Sequence, residues 1–107
     1  MIVSNLKPPY YAVIFTTIVE DNLQGYVETS LRMEELAKQQ KGFLGIESAR
    51  NAIGITVSYW ESLEDITNWK NNVEHTEARN LGREKWYKQY QLRICKVERE
   101  YGFTNLP

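Results

Sequence analysis

Ten consecutive residues near the start of the chain, Tyr10 to Val19, restrict the fold more than any other segment. β-Branched and aromatic side chains dominate this run, which predicts a β-strand. Successive side chains of a strand point to opposite faces, and here both sets are apolar, so both faces of the strand need cover. A chain of 107 residues forms a single core. One small domain must therefore bury this strand on both sides.

Hydrophobic periodicity and capping signals give the order of the remaining elements. Gly82 marks a kink or break in the second helical region, and Asn51 and Gly54 suit left-handed positions in a tight turn between two strands. We predict a helix capped at Asp21 or Asn22 and ended by Gly42, strands at Phe43–Arg50 and Gly54–Trp60, a helical region opened by a Ser62–Asp65 capping box, and a strand at 90–101.

The order βαββαβ is that of ferredoxin-like α+β domains, in which a four-stranded antiparallel sheet carries helices on one face. We predict a single domain over residues 1–107, with an N-terminal arm at residues 1–9 and a core at about residues 10–101. If four or five apolar side chains on the other face stayed exposed to water, folding would lose about 1.5 to 3 kcal/mol of burial free energy for each of them. No segment is left over to cover that face, so we predict a homodimer with a two-fold axis.

Charge and cysteine content exclude several classes of protein. The chain has 13 basic and 14 acidic residues, unlike nucleic-acid-binding domains, which cluster lysine and arginine against phosphates. One cysteine, Cys95, and one histidine, His75, cannot form an internal disulfide or the usual Cys/His zinc site. No signal-peptide pattern or membrane-spanning run of roughly 18 apolar residues is present. We expect a cytoplasmic protein with no nucleic-acid or membrane partner.

Two segments, 42–50 (GFLGIESAR) and 54–62 (GITVSYWES), followed by Trp69 and His75, resemble the antibiotic biosynthesis monooxygenase (ABM) superfamily. The resemblance covers roughly residues 10–101, and the motifs SYWES at 58–62 and Trp86-Tyr87 mark an uncharacterised bacterial branch. It implies a dimeric α+β barrel. Family members include cofactor-independent oxygenases of quinol-type aromatic compounds and haem-degrading monooxygenases.

Haem-degrading members use a strand asparagine, a helical tryptophan and a downstream histidine. Trp69 corresponds to that tryptophan. The first strand offers Phe15 or Thr16 in place of the asparagine, and Arg79 lies nearer than His75 to the spacing of the histidine. The resemblance therefore favours the oxygenases over haem degradation.

His75 is the candidate catalytic base because its ordinary pKa lies near neutrality. It shares a helical stripe with Arg79, Gly82 and Trp86. If this stripe faces the cavity between helices and sheet, His75 takes a proton from a phenolic substrate and Arg79 stabilises the resulting anion. The alternative is that His75 caps or hydrogen-bonds a helix terminus near the surface. Cys95 is expected to be a small buried residue.

Four aromatic residues are candidates for the lining of a pocket that binds a flat ligand: Phe15, Trp60, Trp69 and Trp86. Packing in the core is the alternative role for the tryptophans. Phosphate-binding glycine loops do not occur, so we expect no nucleotide cofactor, and no metal site is indicated. We predict a cofactor-independent monooxygenase of a small aromatic or quinol-like compound; the alternative is a non-catalytic ligand-binding or stress-response module that binds a hydrophobic ligand, with haem held by His75.

Overall fold

The computed structural model of the chain describes residues 2–105, so Met1, Leu106 and Pro107 of the predicted domain lie outside it. The four strands form one antiparallel sheet in the order β2-β3-β1-β4. This confirms the ferredoxin-like α+β fold, with two helices between the third and fourth strands. The elements are β1 (Tyr10–Val19), α1 (Tyr26–Lys38), β2 (Phe43–Arg50), β3 (Gly54–Trp60), α2 (Leu63–Lys70), α3 (Val73–Lys85) and β4 (Tyr87–Val97).

The first helix begins later than predicted. Its N-cap is Gly25, in the left-handed region at φ 83°, and no side chain caps it. The side-chain oxygen of Asn22 accepts the N–H of Gln24 at 3.1 Å, a local bond that favours a turn over a helix. The predicted cap at Asp21 or Asn22 is therefore wrong. The helix also ends earlier, at Lys38.

The second helical region opens as predicted, because Ser62 Oγ accepts the backbone N–H of Asp65 at 3.1 Å. The break falls at Asn71 and Asn72, between α2 and α3, and Asn72 caps α3 through its side chain. Gly82 is neither a kink nor a break but a buried residue inside α3. A Cβ there would meet the ring of Tyr87, so the glycine allows the helix to pack closely on β4.

Two further predictions differ from the structure. The fourth strand lies at Tyr87–Val97 and not at 90–101, because pairing with β1 continues past an irregularity near Ile18 to Tyr87. In the turn between β2 and β3, neither Asn51 nor Gly54 has a positive φ. The absence of a side chain at Gly54 serves another purpose, since a Cβ there would collide with the guanidinium of Arg50.

One face of the sheet packs against the helices. Arg50 Nη2 donates to the hydroxyls of both Thr17 on β1 and Tyr26 on α1, which places Thr17 on the helix-facing side. The alternate residues of β1 that share this side include Val13 and Phe15. Trp60, at the end of β3 on the same side, is fully buried.

The terminal segments cover one end of the opposite face. The Glu47 carboxylate accepts the hydroxyl of Tyr59 at 2.6 Å and the backbone N–H of Val3 at 2.8 Å. The hydroxyl of Tyr10 donates to Glu100 at 2.6 Å, and burial, followed by this hydrogen bond, raises the pKa of Tyr10 to about 12. The expectation that no part of the chain remains to cover this face is therefore wrong at this end.

The rest of the opposite face is open. Ile18 and Ile55 are 38% and 45% exposed there. Cys95, paired with Ala12 in the register, is also exposed. The prediction that Cys95 is buried is therefore wrong for the single chain. Among residues 2–105, no helix is long and apolar enough to cross a membrane.

Candidate functional site

A stack of three rings joins β3, α2 and α3 on the helix-facing side. The rings of Trp60 and Trp69 lie 6.2 Å apart at 24°, and the imidazole of His75 lies 4.1 Å from the Trp69 ring at 11°. The short link between α2 and α3 returns the chain over Trp69, because Asn72 Oδ1 accepts the backbone N–H of His75 at 3.1 Å. His75 is thus held with one face of its ring against an indole.

The hydrogen bond of the imidazole defines its tautomer. His75 Nδ1 lies 2.9 Å from the carbonyl oxygen of Trp69, which only accepts, so Nδ1 carries the proton and Nε2 carries the lone pair in the neutral ring. Burial lowers the pKa of His75; the hydrogen bond to Trp69 opposes this, and the charge of Arg79 lowers the pKa further. The ring is therefore neutral at physiological pH, with Nε2 as its basic atom.

Arg79 follows His75 by one turn of α3, as the sequence predicts. Its Nη1 donates to the carbonyl of Lys70 at 3.3 Å, and its Nε is buried with no partner in the part of the chain described. A guanidinium so placed brings positive charge beside the imidazole and keeps donors to spare.

The four predicted pocket residues do not form one cluster. Trp60 and Trp69 belong to the ring stack with His75. Phe15 contacts Tyr87 at 5.5 Å, and its register partner Thr56 lies four residues from Trp60 along β3, about 13 Å away. Trp86 is in the core: its Nε1 donates to the carbonyl of Gln24 at 3.0 Å. Trp60 and Trp86 therefore pack as core residues.

An open trough lies on the helix-facing side of β1 and β4. In the register Val13 pairs with Ile94 and Phe15 pairs with Leu92. Leu92 and Ile94 are 47% and 50% exposed although they point toward the helical layer, because the helices do not close over β4. We call the surface formed by these four residues the helix-side trough. In the sequence, the alternation of side chains along β4 was the signal for the helix-side trough. That alternation did not show which side of β4 the helices leave open.

Two other grooves lie elsewhere and contain none of the predicted site residues. One, of about 450 Å³, runs between α1 and α3 past Leu36, Glu74 and Glu77. The other, of about 560 Å³, lies between the N-terminal arm and β2. No group of three or more His, Cys, Asp or Glu side chains that could hold a metal ion occurs within residues 2–105.

Comparison with known proteins places the fold in a family. Residues 9–81 match the family model described as antibiotic biosynthesis monooxygenase. Uncharacterized protein YqjZ of Bacillus subtilis (strain 168) is 50% identical over 99 residues, which cover 91% of this chain and 87% of that protein.

Solved structures of low sequence identity share the fold. SnoaB, a cofactor-independent oxygenase from Streptomyces nogalater, superposes with a TM-score of 0.74 at 8% identity, over 87% of this chain and 97% of that one. A conserved protein from Methanosarcina mazei Go1 has a TM-score of 0.75 at 13% identity, over 84% and 94% of the two chains.

Proposed function

This chain belongs to the antibiotic biosynthesis monooxygenase family, and from that premise we propose that it oxygenates a small aromatic or quinol-like compound with dioxygen and needs no flavin, nicotinamide or metal. One observation carries the proposal. His75 is held by the Trp69 carbonyl as a neutral ring whose Nε2 carries the lone pair, and its lowered pKa keeps it unprotonated at neutral pH. This is the state that a general base requires.

The chemistry needs little beyond a base, a charge and a dry surface. Nε2 of His75 takes a phenolic proton, and the guanidinium of Arg79 stabilises the phenolate. The electron-rich anion reduces dioxygen directly. For a quinol, one oxygen atom replaces a ring hydrogen and the other leaves as water, so a quinol and dioxygen give a hydroxyquinone and water. The substrate supplies all four electrons, and no separate reductant is consumed.

A second candidate function is non-catalytic binding of haem or another hydrophobic ligand. The same hydrogen bond favours it, since a histidine that binds a metal commonly donates its other ring N–H to a carbonyl or carboxylate. His75 has this arrangement, with Nε2 as the atom that would contact haem iron. The two functions compete for one nitrogen atom, so a measurement at that nitrogen distinguishes them.

We also propose that the protein acts as a homodimer. The open part of the sheet face with Ile18 and Ile55 supports this, because two such faces packed together would bury on the order of 2,000 Å², as obligate dimers do. The N-terminal segment, bound to Glu47 through Val3, and the C-terminal segment with Glu100 then form one border of the interface.

The test combines spectroscopy with oxygen consumption. We expect purified protein to carry no flavin or haem spectrum, and to consume dioxygen with at least one member of a hydroquinone panel, forming a hydroxyquinone detectable by mass spectrometry. A stoichiometric flavin spectrum would contradict the proposal. A Soret band on addition of haemin, lost in His75→Ala and accompanied by no dioxygen consumption, would establish the binding function in its place.

A further inference from the structure

A contact between Arg83 and Tyr90 fixes the alignment of α3 with β4 beyond the close packing of Gly82 on Tyr87. Arg83 Nε donates to the hydroxyl of Tyr90 at 2.6 Å, and the guanidinium lies 5.7 Å from the centre of the Tyr90 ring. Tyr90 pairs with Thr17 in the register, so it lies on the helix-facing side. Only Trp86 separates α3 from β4, and the chain reverses there, so the helix and the strand run back alongside each other.

This alignment places a basic edge along the helix-side trough. Four residues of helix span about 6 Å, and two residues of strand span about 6.6 Å. Counting back from the contact between Arg83 and Tyr90, Arg79 comes level with Leu92 and His75 level with Ile94. We call His75, Arg79 and Arg83 the basic stripe; they recur every four residues and so share one side of α3.

Among the residues that the structure describes, no carboxylate forms an ion pair with the basic stripe. The ion pairs found within residues 2–105 join Arg32 to Glu74 and Lys38 to Glu34, and neither involves Arg79 or Arg83. Of the three acidic residues of α3, Glu74 and Glu77 line the groove on the α1 side of the helix, and Glu84 forms no ion pair in the described part of the chain. Arg79 Nε is buried without a partner. Within residues 2–105, the charges of Arg79 and Arg83 therefore border the apolar residues of the helix-side trough without an ion-pair partner.

We propose that the helix-side trough binds an aromatic compound that carries a negatively charged group, with its rings on the apolar floor and its anionic group at Arg83. The inference rests on the proposed function, because it assigns the reacting hydroxyl to the His75 end and the anionic group to the other end. About 12 Å of helix separates these ends, enough for a fused two-ring compound once both side chains are allowed for. Arg83 is a specificity-determining residue in this arrangement, distant from the reacting atoms.

A matched pair of ligands isolates the charge. 5,8-Dihydroxy-2-naphthoate, with its carboxylate on the ring away from the hydroxyls, differs from 1,4-dihydroxynaphthalene only in that carboxylate. Calorimetric titration without oxygen measures binding while preventing turnover. We expect the carboxylate to improve affinity roughly tenfold to a hundredfold, the usual worth of a hydrogen bond to a charged group, and the gain to shrink with added salt. Arg83→Gln should abolish the gain and leave the affinity for 1,4-dihydroxynaphthalene unchanged.

Three further variants separate charge from structure. Tyr90→Phe removes the hydrogen bond to Arg83 but leaves the charge of Arg83 in place, so this variant should still prefer the ligand with the carboxylate. Arg83→Lys should keep part of it. Lys41→Gln, an exposed charge removed in the turn between α1 and β2, is the matched control and should behave as wild type. Equal affinity for the two ligands, a preference that survives in Arg83→Gln, or binding of neither ligand would overturn the proposal.

Oxygen consumption with the same two compounds keeps the two proposals distinct. A carboxylate preference that depends on Arg83, found without any dioxygen consumption, supports the ligand class and contradicts the monooxygenase function. Dioxygen consumption with no preference between the two compounds supports the function and overturns the ligand class.

Discussion

Replacement of His75 by alanine tests whether this residue is a base or a structural ring. The variant loses the Nδ1–H bond to the Trp69 carbonyl at 2.9 Å and the stacked contact with the indole at 4.1 Å. The hydrogen bond contributes about 0.5 to 1.5 kcal/mol and the ring contact a similar amount, so unfolding should become easier by about 1 to 3 kcal/mol. For a domain of this size that lowers Tm by roughly 5 to 20 °C.

If Nε2 takes the proton, the activation free energy should rise by about 2.7 to 5.5 kcal/mol, which exceeds the expected loss of stability over most of that range. General base catalysis contributes about 10²- to 10⁴-fold, so dioxygen consumption by His75→Ala should fall by that factor at a temperature where the variant is folded. His75→Gln is the control: an amide can still donate to the Trp69 carbonyl, so stability should recover in part while the rate stays low.

Arg79→Ala should lower the rate of dioxygen consumption less, roughly tenfold to a thousandfold, because the Arg79 guanidinium stabilises the anion but does not move the proton. Thermal unfolding by circular dichroism and an oxygen electrode give both quantities on the same samples. A His75→Ala variant with lower Tm and unchanged turnover would refute the catalytic role and assign the imidazole to structure.

Three other outcomes follow from the structure. Burial lowers the pKa of His75 in the folded chain, so its contribution to stability is present above the unfolded pKa of about 6.5 and is lost as pH falls through the folded pKa. The difference in urea midpoint between wild type and His75→Gln should therefore move against wild type from pH 7.5 to pH 5, and a difference independent of pH would contradict this. Gly42→Ala would force φ 83° on a side chain that overlaps buried Asp65, and should destabilise by about 2 to 5 kcal/mol, whereas Gly102→Ala, in open space, should match wild type in the same urea titration. Sedimentation should find a dimer at micromolar concentration, and Ile18→Asp should unfold the chain or yield a destabilised monomer; a stable wild-type monomer would contradict the interface.

The strands of the first half were predictable from the sequence because their signal is local. The bounds of β1, β2 and β3 agree with the structure. β1 is a run of β-branched and aromatic residues, and β3 lies between Gly54 and the Ser62 cap. The start of α1 was not predictable in the same way. Asn22 offers the same side chain for a cap as for a local turn, and here the backbone of Gln24 takes the bond.

The candidate site was predictable as residue types but not as geometry. The sequence singles out His75 and Arg79, whereas the partner of the imidazole is a backbone carbonyl at Trp69, which any residue there would provide. The position of that carbonyl depends on where α2 ends, at its C-cap Asn71, and the position of the imidazole depends on the capping of α3 by the side chain of Asn72. Arg83 was overlooked because nothing in the sequence shows that β4 begins at Tyr87 and brings Tyr90 beneath it.

The central position of β1 has a consequence for how the chain is made. Its two neighbours in the sheet are β3 and β4, and β4 pairs with it along its whole length, yet every other element lies between them in the sequence. A growing chain that leaves the ribosome therefore presents β1 with both edges unpaired and both faces apolar until β3, and then β4, has emerged. Contacts this distant in sequence slow folding toward the millisecond-to-second range of β-rich domains, and unpaired apolar strands favour aggregation. Completion of the sheet must thus wait for synthesis of β4, and the incomplete chain is the form most in need of a chaperone.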